Sequence, residues 1–241
     1  MNRLGILVKG ELDRLKKYNL FTALTVVLLM WLTIAWLLEA KELELFVPLI
    51  LLMDSTMMTI VLVGATLFYE KKEHTLNSIL VSPVREDEYL VSKVIVGIIN
   101  SLITLVALWA MVYFLKDLTF NILFVAGAVI VIAAFHTLLG IWLSYHAKNF
   151  TSLLVNFMFY VLVLAMPSVL AALDVIGPKA ARFLIVLPPE ASLILLQAGF
   201  QEVKTWKIIF SFVYLIALSL TIYKFVVKPK LNEYAMRETG V

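Results

Sequence analysis

The chain contains no cysteine. Disulfides, a thiol nucleophile and any Cys-based metal site are therefore excluded. Charge is scarce too: 15% of the 241 residues are Asp, Glu, Lys or Arg, against about 25% in soluble domains. The three histidines (74, 136 and 146) make no H-E-x-x-H pair, and neither a G-x-S-x-G elbow nor a G-x-x-x-x-G-K-[ST] phosphate loop occurs. No nucleotide-binding machinery is expected in this chain. An intramembrane enzyme would have to rest on Asp54 and His136, which helical rise separates by about 10 Å in depth, so no catalytic residue and no metal ligand is assigned. The first 18 residues alternate charged and apolar side chains and lack a signal-peptide core.

What fills the chain instead is hydrocarbon. Hydrophobic residues make up 62% of it, and the mean hydropathy is +0.97. Apolar side chains need no polar covering where lipid surrounds them, so residues 1–241 read as one integral membrane domain in a bilayer. The net charge of +3 does not point to nucleic acid, because the basic residues flank apolar runs. Six runs can cross roughly 30 Å of hydrocarbon: about 20–38, 45–69, 94–115, 120–145, 150–172 and 207–227. With both termini inside, fourteen of the twenty basic residues fall on the cytoplasmic side, including Arg14, Lys71, Lys72, Lys93, Lys148 and Arg237. That predicts a multi-pass plasma-membrane protein with cytoplasmic ends.

Ahead of the first span, residues 1–18 place Leu4, Leu7, Val8, Leu12 and Leu15 on one stripe opposite Lys9, Asp13, Lys16 and Lys17. This is the pattern of a helix lying in the membrane interface. Glu11 interrupts the stripe, either as an exposed carboxylate or as one half of an ion pair. Residues 173–206 form no ordinary loop. AARFLIVL, Pro188-Pro189-Glu190 and ASLILLQAGF together approach the length of a seventh span. The two prolines oppose a continuous helix, and an extra span would export the basic tail. Two short helices dipping into the outer leaflet are expected, with Pro188 or Pro189 opening the second and Glu190 at its positive end.

Residues 70–93, EKKEHTLNSILVSPVREDEYLVSK, are the longest strongly charged insert between spans. Leu76, Ile79 and Leu80 recur at helical spacing and Pro83 stops that helix. Ser82 is the expected cap of a second short helix, with Pro83 in its first turn and Glu86, Asp87 and Glu88 following. The product is an amphipathic elbow that a soluble partner could grip, or else a solvated interfacial loop. Inside the spans, ionisable and amide side chains are costly and are functional candidates. Asp54 falls about 13 Å from the outer end of the second span, with Met57, Met58 and Val61 on its face by regular spacing. Asn100, His136 and Asn156 fall about 9–15 Å from the opposite ends of their spans. Asp54 could line a substrate pathway or bond a neighbouring helix. Interhelical hydrogen bonding is the simpler role for the other three, and the methionines could equally be filling gaps.

The run TLFYEKKEHTLNSILVSPVREDEYLVSK at 66–93 resembles the permeases of type-2 ABC exporters. The matching elements are Glu70, Lys71, Lys72, Thr75, Leu76, Ile79, Leu80, Pro83 and Lys93, and His74 stands where that family usually has Gly. The N-terminal interfacial helix, the six spans and the Pro-containing segment before the last span extend the likeness over nearly the whole chain. LFYEKKEHTLNSILVSPV and VLPPEASLILL are similar to bacterial permeases for fluoroquinolone and related drug export. The resemblance implies an all-α integral membrane fold with a cytoplasmic coupling helix at 70–93. It also implies a partner ABC ATPase in two copies that carries ATP and Mg, and a second permease, identical or paralogous. Alternating access would then export a small hydrophobic or amphipathic drug. A secondary, ion-coupled transporter using Asp54 is the alternative, since three spans followed by three have inverted topology. A non-transporting membrane scaffold is the third.

Overall fold

The structure is a computed structural model that describes residues 3–80 and 82–236; the side chains of Leu80 and Pro178 and the tail residue Arg237 lie outside the description. Every described element is helical. The N-terminal helix Arg3–Lys17 precedes six helices long and apolar enough to cross a membrane: Leu20–Leu37, Ala40–Lys72, Glu86–Lys116, Ile122–His146, Phe150–Ala172 and Thr205–Met236. These are the six runs expected from hydropathy, and several continue well past the hydrocarbon boundary.

The second span lies at the centre. Of its most apolar window, 72% is buried inside the protein, against 6% for the first span and 11% for the last. Small and hydroxyl side chains explain the difference. Ser55, Thr56, Thr59, Gly64 and Thr66 are buried along it, and facing helices close in through glycines. A Cβ on Gly140 of the fourth span would sit 3.0 Å from the Ile60 Cα, and one on Gly97 of the third would sit 3.3 Å from Thr59 Cγ2. Small residues allow such approach where no hydrophobic effect drives helices together in lipid.

Halfway along the second span, Asp54–Met58 forms a π-helical turn. The wider turn breaks regular spacing, so Met57 and Met58 do not simply continue the Asp54 face. Asp54 is buried with Thr59 below it, Oγ1 donating to the Asp54 carbonyl at 3.4 Å, whereas Met57 and Met58 are half-buried.

Two bundle ends are distinguishable. At one, Lys116 Nζ donates to the Leu38 carbonyl at 2.7 Å and Phe120 stacks on Phe200 at 4.3 Å. Here Lys179–Val186 and Pro188–Gln197 meet at 105°. Pro188 opens the second of these helices, Glu190 lies in its first turn, and Ala191, Leu193, Leu195 and Leu196 are buried in the main core. The proline-broken pair expected from the sequence is thus present. At the other end lie the N-terminal helix, the charged insert and the end of the last helix.

Among the described residues of the insert one separate short helix forms, Thr75–Leu80. The expected second one is the beginning of the third span. Its cap is Arg85, not Ser82: the Arg85 amide donates to Glu88 Oε2 at 2.9 Å, the acidic half of a capping box. Ser82 Oγ instead accepts from the Val84 amide at 3.3 Å, leaving Pro83 in the link. Before the short helix, His74 takes φ 56°, the left-handed backbone that glycine adopts most easily. The turn forms without the glycine.

Candidate functional site

The charged end of the bundle is organised by five side chains from three helices. Glu11 and Arg14 come from the N-terminal helix, Glu70 from the end of the second span, and Tyr89 and Lys93 from the start of the third. Lys93 Nζ donates to both Glu11 oxygens at 3.1 and 3.2 Å and to Glu70 at 2.9 Å. Arg14 Nε lies 2.8 Å from Glu70 Oε1 while its Nη2 meets Glu11, and the Tyr89 hydroxyl donates to Glu70. Glu11, Glu70, Tyr89 and Lys93 are each at most 3% exposed. Two carboxylates and two cations make the cluster neutral overall, which is the condition for burying it.

Glu11 therefore takes the ion-paired role rather than that of an exposed carboxylate. Burial pushes its carboxyl up, but Lys93 and Arg14 outweigh burial and hold it below the usual carboxylate range. Leu15, beside it, packs on Leu62 and Val96 of the second and third spans. The helix expected to lie in the interface is fixed to two spans. At its end, Lys17 and Tyr18 both donate to Glu73, at 2.5 and 2.9 Å, and Tyr18 stacks on Tyr69 at 4.5 Å.

This placement divides the sequence-predicted coupling residues. Glu70 and Leu76 are fully buried, so neither offers a contact to a partner; they anchor the insert from inside. Leu76 packs with Leu67, Tyr89, Tyr145 and Tyr234, and Ile79 lies against the same cluster. Lys71 and Thr75 are half-buried, with Lys71 Nζ 4.4 Å from the centre of the Tyr234 ring. The outward edge is polar: Lys72, Glu73, His74, Asn77 and Ser78 are exposed.

The intramembrane candidates do not converge on one site. Asp54 is 3% exposed; the Thr104 hydroxyl interacts with its carboxylate, and Oδ2 has no hydrogen-bond partner among the described residues. His136 takes the structural role: Nδ1 donates to the Ile132 carbonyl and Nε2 accepts from the Tyr160 hydroxyl, both at 2.8 Å, joining the fourth and fifth spans. Asn100 and Asn156 are half-buried and carry no interhelical hydrogen bond among the described residues. Glu190, in the bent pair, keeps one buried oxygen without a partner. No group of metal-ligating side chains occurs among the described residues.

Six helices long and apolar enough to cross a membrane, with most buried charge gathered at one end of the bundle, define a multi-pass membrane protein. Residues 2–238 match the fluoroquinolones export permease protein family, and the chain belongs to that family, whose members are export permeases of the ABC type. Two relatives, both named fluoroquinolones export permease protein, come from Mycobacterium tuberculosis strains CDC 1551 and H37Rv. Each is 28% identical over 198 residues, covering 80% of this chain and 80% of the relative.

Proposed function

We propose that the chain is the membrane half of a drug exporter driven by a separate ATPase. Two such permeases, identical or paralogous, would pair over two ATPase subunits that carry the ATP and Mg. The two mycobacterial relatives are named for fluoroquinolone export, and a small amphipathic drug of that kind is the substrate class read here. Both termini and the insert would face the cytoplasm, and the bent pair with Pro188, Pro189 and Glu190 would enter the outer leaflet from the far side.

The observation that carries this reading is how the insert is mounted. The Thr75–Leu80 helix presents a polar edge outward while Leu76, Glu70 and Lys93 tie it to the second and third spans. An ATPase closing on that edge would move both spans as a rigid body, the behaviour alternating access requires. Reconstitution with its ATPase should give ATP hydrolysis stimulated by a fluoroquinolone, and Lys93→Met should lose the stimulation. A permease that transports with no ATPase present would overturn the reading. It would instead favour ion-coupled transport through Asp54, whose Oδ2 has no hydrogen-bond partner among the described residues. In that case Asp54→Asn should abolish transport.

A further inference from the structure

The last span is far longer than a bilayer needs. Thr205–Met236 is 32 residues, about 48 Å at 1.5 Å per residue, so roughly 18 Å extends beyond a hydrocarbon layer about 30 Å thick. That excess lies against the charged insert. Asp87 accepts from the Tyr223 hydroxyl and pairs with Lys228 Nζ at 2.7 Å; Asn232 Nδ2 donates to Glu86 Oε1 at 2.8 Å. One turn on, Leu231 is fully buried and Tyr234 nearly so, in the same cluster as Leu76. The Tyr145 ring lies 4.7 Å from that of Tyr234, whose face also takes Lys71. The extension therefore touches the insert on both sides of the short helix, at Lys71 and Leu76 before the link and at Glu86 and Asp87 after it.

We propose that this C-terminal extension is a brace that sets the pose of the Thr75–Leu80 helix, with Leu231 and Tyr234 as its positioning residues. A six-residue helix does not hold itself in water, and this one is flanked by a left-handed residue and an irregular link. Its pose must come from tertiary contacts, and Leu76 is its buried anchor. The Lys228 and Asp87 side chains are 42% and 31% exposed, so the pair adds little strength. The brace joins a third span to the insert: the second and third are covalently continuous with it, and the last is attached through these contacts. A displacement of the short helix is thereby shared with the last span. As a statement about coupling, this rests on the ATPase reading above; as a statement about pose, it does not.

The absence of cysteine makes the test direct. A spin label on Asn77→Cys, at an exposed position, reports the mobility of the short helix in the purified full-length permease without any ATPase. Tyr234→Ala and Leu231→Ala should each shift the spectrum towards fast motion. The milder pair Lys228→Gln with Asn232→Ala should shift it less, and Phe225→Ala, at a position 66% exposed on the same helix, should leave it unchanged. Monodisperse Tyr234→Ala and Lys228→Gln/Asn232→Ala proteins whose spectra match the parent would overturn the brace. If the label loosens and drug-stimulated ATP hydrolysis of the reconstituted complex is lost, brace and coupling both stand. If the label loosens while stimulation persists, the brace stands and the coupling role of the helix falls.

Discussion

At the scale of single residues, the neutral cluster makes the sharpest demands. Removing one member of a buried ion network strands its partner, which costs about 3–5 kcal/mol. Lys93→Met should therefore destabilise the detergent-solubilised protein by that order in a thermal melt, since Glu11 loses its closest cation apart from Arg14. Adding Glu11→Gln removes the stranded charge and leaves Glu70 with Arg14, so the double variant should be more stable than Lys93→Met alone. Additive losses would show that the cluster is not a coupled unit. The pH dependence has a fixed sign. Glu11 is depressed in the folded state, so its contribution is fully present above the ordinary carboxylate value and is lost as pH falls through the depressed one. Acidification should release the N-terminal helix before the rest of the bundle melts, measurable by hydrogen exchange in residues 3–17. His74 supplies a second case. Its φ of 56° costs an L-residue roughly 1–2 kcal/mol, while glycine there adds about 0.5–1 kcal/mol of chain entropy to be lost. His74→Gly should thus be neutral or stabilising by up to about 1 kcal/mol, and a β-branched residue should be worse than His.

At the scale of elements, the spans were legible because a 20-residue apolar run has little use outside a bilayer. The proline-broken pair was legible because Pro188 and Pro189 permit a helix to start but not to continue through them. The insert was legible in its charge and in its first short helix, Thr75–Leu80, but not in its second half. Ser82 and Arg85 stand three residues apart as alternative caps, and only Glu88 closing on Arg85 decides between them. The burial of Glu11 depends on Lys93, 82 residues away, and no local pattern reports such a pairing. The π turn at Asp54–Met58 leaves no mark on composition either, so spacing arithmetic put Met57 and Met58 on a face that the wider turn disrupts. The glycines of the spans take specific roles only through packing. Gly140→Ala would bring a Cβ to 3.0 Å and 3.1 Å from Ile60 backbone atoms, and should cost about 1–3 kcal/mol. Gly127, on the same helix with nothing within 4 Å, should accept alanine at no loss. Equal melting temperatures for the two variants would mean that the second and fourth spans can separate freely.

At the scale of the whole molecule, the distribution of apolar exposure and of charge must be satisfied together. Val26, Leu29 and Trp36 on the first span, and Val155, Phe159 and Leu162 on the fifth, are each more than half exposed, surface that only lipid or a second permease can cover. The charge sets which way round the bundle sits in that lipid. Most of the described basic residues lie at the end that holds the N-terminal helix, the insert and the C-terminal extension, and the orientation proposed above, which the positive-inside rule favours, turns that end to the cytoplasm. In that orientation the polar edge of the insert would lie on the side where ATP is available, within reach of the proposed ATPase. Single cysteines introduced into the cysteine-free chain read the orientation directly. Asn77→Cys and Glu202→Cys are both at exposed positions, at opposite ends of the bundle. A membrane-impermeant maleimide should label Glu202→Cys in intact cells and Asn77→Cys only after permeabilisation. The reverse pattern would place the insert outside, beyond the reach of any ATP-driven partner, and would leave ion coupling through Asp54 as the surviving mechanism.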